Sequence, residues 1–157
     1  MLRGGCDDTY CNKGVYSIVM RFIIHADGGA RGNPGPAGAG AVVRDEFGVI
    51  VASISKFLGH QTNNFAEYEA VILAFEELTK LVPSEERETT EVAVKLDSEL
   101  IVKQMNGLYK VRHPVLREQK ARLAQVAAAF GTVSFTHVPR EQNSDADALA
   151  NAAMDRG

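Results

Sequence analysis

The strongest constraint on the fold is a succession of three strand-like runs separated only by turn sequence. Residues 21–27 place Phe22, Ile24 and Ala26 on one face and Ile23, His25 and Asp27 on the other. Apolar residues on both faces suit a central strand covered from both sides. Residues 39–45 and 49–57 are rich in Val, Ile and Ala, and DEFG between them is a hairpin signal. The first and second runs are joined by GGARGNPGP, residues 28–36. This stretch matches neither G-x-G-x-x-G nor G-x-x-x-x-G-K, and no helical pattern follows it, so it reads as a tight turn rather than a phosphate loop.

Beyond the hairpin the period changes. Residues 64–81 carry a broad apolar face (Phe65, Tyr68, Ala70, Ile72, Ala74, Phe75, Leu78) with Thr62 or Asn63 as the cap. Residues 83–90 form a polar loop, and 91–97 alternate with Val92, Val94 and Leu96 inward before ending in Asp97. Ser98 caps a helix to about residue 105, Gly107 ends it, and Pro114 opens the next, which runs to about 130. A last strand at 132–138 precedes a helix capped by Asn143 or Ser144 and reaching about 154. The order βββ-α-β-α-α-β-α implies an α/β fold. It has one five-stranded mixed sheet, three antiparallel meander strands followed by two parallel additions, with helices on both faces.

A chain of 157 residues suits one domain with a sizeable core. Residues 1–19 mix Gly, Asp, Asn and Cys without period and read as a flexible leader, with Met20 as a candidate internal start. Cys6 and Cys11 lack the second pair or nearby histidines that a zinc site needs, which leaves a reduced, cytoplasmic chain as the reading. The run at 15–24 is broken by Arg21 and too short to span a bilayer. The net charge of −3 argues mildly against a nucleic-acid partner, but the distribution is uneven. Residues 103–122 hold Lys103, Lys110, Arg112, Arg117, Lys120 and Arg122 against the single acid Glu118. That excess suits a phosphate backbone, or simply a solvated helix face.

Two strands end in aspartate, Asp27 and Asp97; Glu67 stands in the first turn of a helix; and the last helix starts with DAD, residues 145–147. Singly, each has an ordinary explanation as a turn, a cap or a partner of the helix dipole. Together they make a cluster if the strands of Asp27 and Asp97 are adjacent and parallel, because open α/β sheets gather ligands beyond their strand ends. Converging carboxylates repel one another unless a hard dication such as Mg²⁺ relieves them. Four suffice for a two-metal site with ions ~3.5–4 Å apart.

Four segments, DGGARGNPGP (27–36), TNNFAEYEA (62–70), LDSEL (96–100) and HVPREQNSDADALAN (137–151), resemble the signature segments of type 1 ribonuclease H, in that family's order. The resemblance implies a ribonuclease H-like fold with residues 20–157 as the catalytic domain. It implies an endonuclease that hydrolyses the RNA strand of RNA–DNA hybrids with two Mg²⁺ ions, Mn²⁺ as substitute, leaving 5′-phosphate and 3′-hydroxyl ends. Motif by motif, the metal-binding and catalytic set becomes Asp27, Glu67, Asp97 and Asp147. Asp145 is the rival for the last place; residues two apart on a helix face apart at ~100° per residue, so only one of the two would face the site, and the match of ADALA (146–150) to the family's A-D-x-L-A favours Asp147. Asn33, Asn63 and Asn64 match residues facing the hybrid's minor groove, where 2′-hydroxyls distinguish RNA. Lys110 and Arg112, in the connector after Gly107, are further substrate-binding candidates.

The chain also departs from the family pattern. His137 reads as the end of the last strand, so the loop histidine of many relatives is missing, with Arg140 or Glu141 near the vacant place. The basic handle of some members is reduced to NGLYKVRHP, residues 106–114. No membrane and no obligatory protein partner is expected. The alternatives are a hybrid-binding module without catalysis, a related nuclease for another nucleic acid, and a small-molecule phosphatase.

Overall fold

The computed structural model describes residues 19–157. It contains β1 (Arg21–Ala30), β2 (Gly35–Asp45), β3 (Ile50–Gln61), α1 (Asn63–Leu81), β4 (Glu91–Leu96), α2 (Glu99–Met105), α3 (Pro114–Ala127), β5 (Thr132–His137) and α4 (Ser144–Arg156), with 3-10 turns at Ser84–Thr89 and Arg140–Asn143. The five strands form one mixed sheet in the order β3-β2-β1-β4-β5. β2 runs antiparallel to β1 and β3, while β4 and β5 add in parallel, as the order of elements implied. The expected leader falls, apart from Val19, outside the described residues, as do Cys6 and Cys11. Met20 already belongs to the sheet margin, its carbonyl accepting the Glu91 N–H at 2.9 Å.

The two faces of the sheet are covered by different means. On one, α1 buries Tyr68, Ile72, Phe75 and Leu78 against Ile24, Ala39, Ala41, Val43 and Val94, and α3 closes over it with Leu123 and Ala127. Large side chains set the spacing here, and truncating Phe75 or Tyr68 to Ala would cost ~3–5 kcal/mol. On the other face, α4 offers only Ala146, Ala150 and Ala153 as buried residues. It lies on Gly38 and Gly40 of β2, where an added Cβ would overlap the α4 backbone at Ala146 and Ala150. The alternation AGAGA in residues 37–41 therefore packs bulk to one side and brings a helix backbone close on the other.

Several boundaries differ from the sequence reading, each for a local reason. The glycine-rich stretch is mostly strand, because Gly28, Gly29 and Ala30 pair with Ala39, Gly38 and Ala37, leaving 31–34 as the turn. Residues 83–90 are not wholly loop, since Arg87 donates to the carbonyls of Val82 at 3.0 Å and Thr79 at 2.7 Å and closes the end of α1. α3 stops at Ala127, and Phe130 turns back to sit 5.7 Å from the Phe75 ring. Thr62, not Asn63, caps α1, accepting the Phe65 N–H at 3.2 Å. Asn143 holds the cap position of α4, but neither it nor Ser144 caps through its side chain. The Asn143 amide instead donates 2.8 Å to the Ala26 carbonyl of β1. No helix among the described residues is long and apolar enough to cross a membrane.

Candidate active site

β1 and β4 are parallel neighbours whose register ends at the Ala26–Leu96 pair. The next residues are Asp27 and Asp97, so the two carboxylates leave the sheet side by side. Asp27 does not end its strand, contrary to the sequence reading, because β1 continues with β2 to Ala30. Only the β4 partner departs at this point. Beyond Asp97 the chain turns at Ser98, whose hydroxyl accepts the Ile101 N–H at 3.4 Å and starts α2.

Glu67 comes from α1. The helix begins at Asn63 and has no acid in its first turn, so the dipole explanation for Glu67 does not apply. Gly28 is what places it. A Cβ there would overlap the Ala66 carbonyl and crowd the Glu67 amide, so α1 can lie directly against β1 one residue past Asp27. Asp147 comes from α4. Gly40 stands opposite Asp27 in the ladder, and α4 rests on it, so both acids share that side. Asn151 donates to the Asp147 carboxylate at 3.2 Å. Asp145 is directed away, to Arg44 at 2.7 Å.

One oxygen each of Asp27, Glu67 and Asp97 lies within 4.8 Å of the others. Asp147 lines the same cleft of about 380 Å³, together with Asn63, Asn64 and Arg140. Burial, followed by the charges of Asp97, Asp147 and Glu67, pushes the Asp27 carboxyl up to about 8. Burial also raises Glu67, to about 7, with Asp97 adding to the rise while the Ser98 hydroxyl and Arg140 oppose it. Arg140 stands at the mouth, 3.7 Å from Asp97, its side chain 85% exposed where that of Asp97 is 8% exposed. An exposed guanidinium offsets little of the repulsion. The donor set is thus hard, anionic and short of compensating charge, which fits Mg²⁺ or Mn²⁺.

Asn33 and Asn63 join the turn to the helix, the Asn33 Oδ1 accepting the Asn63 N–H at 3.0 Å and the Asn63 Oδ1 accepting the Ala30 N–H at 2.7 Å. Each oxygen already accepts one backbone N–H, and the NH2 groups are donors a ligand could use. Asn64 borders both the acidic cleft and a neighbouring hollow lined by Asn33, Thr62 and His113. Lys110 and Arg112 are not brought to the acids. They line a separate groove of about 710 Å³ with Tyr109, Arg117 and Lys120. His137 is the last residue of β5, paired with Leu96, as expected. Sequence reasoning gave no definite role to Arg140 and missed the close-approach glycines, although the AGAGA alternation carried that signal.

A mixed sheet of this order with carboxylates gathered beyond its central strands defines the ribonuclease H-like class of proteins. Within that class, a family model described as reverse transcriptase-like matches residues 25–153, and the chain belongs to the type 1 ribonuclease H family. It is similar to the bifunctional protein Rv2228c of Mycobacterium tuberculosis, 43% identical over 137 residues, which are 87% of this chain and 36% of that protein. It is 40% identical over 134 residues to ribonuclease HI of Halobacterium salinarum, covering 84% of this chain and 64% of the relative. The chain thus spans about a third to two thirds of the length of these relatives. A solved structure of LC11-RNase H1 in complex with RNA/DNA hybrid superposes with a TM-score of 0.77 at 48% identity, covering 86% of this chain and 97% of that one.

Proposed function

We propose that residues 20–157 form a catalytic domain that hydrolyses the RNA strand of RNA–DNA hybrids, leaving 5′-phosphate and 3′-hydroxyl ends. The observation that carries this reading is the convergence of Asp27, Glu67 and Asp97 within 4.8 Å, in a cleft whose protein charges do not neutralise them. Asp27, Glu67, Asp97 and Asp147 would hold two Mg²⁺ ions, with Mn²⁺ as substitute. When bound, such ions acidify water and neutralise charge developing at a scissile phosphate.

The protein's own groups account for the rest. Asp27 and Glu67 release their protons as the site fills, so filling is favoured at higher pH. Arg140, at the cleft mouth, can turn from Asp97 to a phosphate oxygen. The amides of Asn33, Asn63 and Asn64 border the cleft and its neighbouring hollow, where uncharged donors suit 2′-hydroxyls. The hybrid bound by LC11-RNase H1 supports this choice of substrate.

The test is cleavage of matched RNA–DNA hybrid, duplex RNA and duplex DNA, each with a labelled strand, with Mg²⁺ and with chelator. The expected result is cut RNA in the hybrid alone, dependent on Mg²⁺. Equal cutting of all three substrates, or undiminished cutting under chelation, overturns the proposal.

A further inference from the structure

The stretch between β5 and α4 fastens to the sheet at two carbonyls, and each belongs to the residue just before a cleft aspartate. The Val138 N–H donates to the Leu96 carbonyl at 2.8 Å, beside Asp97. The Asn143 amide donates to the Ala26 carbonyl at 2.8 Å, beside Asp27. Both contacts fall at the Ala26–Leu96 pair, where the β1–β4 register ends. Asn143 is 1% exposed, and its Oδ1 is buried with no partner among the described residues. An asparagine at a cap position ordinarily bonds the helix it starts, and this one does not. Its side chain is turned out of its own helix and into the strand that carries Asp27.

From this geometry we infer that Asn143 is a positioning residue for the acidic cleft. Its amide pins the start of α4 to β1, and one helical turn later Asp147 is delivered beside Asp27. Ala146, Ala150 and Ala153 are small and lie close on the glycines of β2, which offer no side chain to interlock with them, so the contact itself does little to set how far α4 slides along the sheet. Other directional bonds tie α4 to β2 and β3, Arg44 to Asp145 at 2.7 Å, Ser55 to the Leu149 carbonyl at 2.7 Å and Arg156 to the Ser55 carbonyl at 2.7 Å, whereas the Asn143 bond is buried and is made to β1, the strand of Asp27. The inference rests on the proposed role of the four carboxylates, Asp147 among them.

The experiment compares Asn143→Ala, Asp147→Asn and the double variant. It measures metal-free thermal unfolding, the Mg²⁺ concentration giving half of full thermal stabilisation, and kcat and KM on a hybrid. For Asn143→Ala the half-stabilising Mg²⁺ concentration is expected to rise roughly tenfold and kcat to fall about as much, the scale of a lost supporting contact. KM should change little. On the Asp147→Asn background the same change should add less than about twofold, because two residues acting through one position are not additive. If Asn143→Ala does not unfold cooperatively, Asn143→Ser, which keeps a donor at the site, takes its place with the same readouts and a smaller expected shift. A lowered melting temperature with unchanged Mg²⁺ dependence and kcat overturns the inference, as does an undiminished factor on the Asp147→Asn background. An Asp147→Asn chain as active as the parent instead overturns the carboxylate reading itself.

Discussion

The acidic cleft and the basic groove both collect like charges, and they tolerate the repulsion in opposite ways. In the cleft, the pairing of β1 with β4 and a glycine contact hold the backbone, so Asp27, Glu67 and Asp97 stay close together, and two of the three carboxyls are driven far above their ordinary range. In the groove, Lys110, Arg112, Arg117 and Lys120 reach out on long side chains from a connector and an outer helix face. Of the six cations in this segment, Lys103 is paired with Glu99 and Arg122 with Glu69, and the four lining the groove have no ion-pair partner among the described residues. Repulsion is stored in the first region and dispersed into solvent in the second. Removing one charge should therefore have an all-or-none effect in the cleft and a graded one in the groove.

The sharpest break of this comparison is Asp97→Asn. If Asp97 takes the metal role proposed for it, the variant should lose at least about 10²–10³-fold in kcat, the scale for removing one preorganised electrostatic partner. Its metal-free melting temperature should rise, because one of the repelling charges is gone. Hybrid cleavage and calorimetric unfolding report the two effects together. Appreciable residual turnover counts against a metal role for Asp97, and a lower melting temperature counts against stored repulsion.

A smaller effect follows from pH. Asp27 and Glu67 have folded-state pKa values above their ordinary ones, so the folded chain holds protons more tightly than the unfolded chain. Metal-free stability is then greatest below about pH 4 as far as these groups decide it, and falls as pH rises towards 8, by an amount on the order of a few kcal/mol. Mg²⁺ should oppose that fall, since it binds the ionised forms, and its stabilising effect should grow between pH 6 and 8. Melting temperatures across this range, with and without Mg²⁺, show whether the two curves diverge. Parallel curves would remove the electrostatic contrast between the regions.

The two regions also differed in how far the sequence disclosed them. Asp27, Glu67, Asp97 and Asp147 could be read together because four segments resemble the family's signature segments, while strand order suggested that two of them lie side by side and helical spacing only that Asp145 and Asp147 face apart. Motifs and period both lie in short stretches of sequence. The supports could not be read, because each depends on an element distant in the chain. Gly28 looked like part of a turn until α1 was seen against it, and Gly40 had no evident purpose without α4. Asn143 or Ser144 read as the cap of α4, and only the nearby Ala26 carbonyl shows why the Asn143 side chain bonds a strand and not its own helix. Arg140 was legible only as a neighbour of an empty place in the family pattern. In the groove, the charge excess was plain in the sequence, but which cations are already paired was not, since Glu69 belongs to a helix about fifty residues earlier.

That partition sets the last and smallest effect. Neutralising Lys110, Arg112, Arg117 or Lys120 singly should raise KM for the hybrid by a few-fold or less and leave kcat unchanged, because none of them borders the carboxylates. The salt dependence is the better readout. Each cation that neutralises a phosphate contributes a slope of about 0.7–0.9 in the logarithm of affinity against the logarithm of salt concentration. Removing all four should therefore flatten the slope by up to roughly 3. Lys103→Ala and Arg122→Ala are the controls, since their charges are already matched by Glu99 and Glu69, and they should leave the slope nearly as it was. Equal flattening by the controls would mean that charge acts through the segment as a whole rather than through the groove. A fall in kcat from any of the four would join the groove to the cleft, and the division between stored and dispersed charge would no longer describe how the protein works.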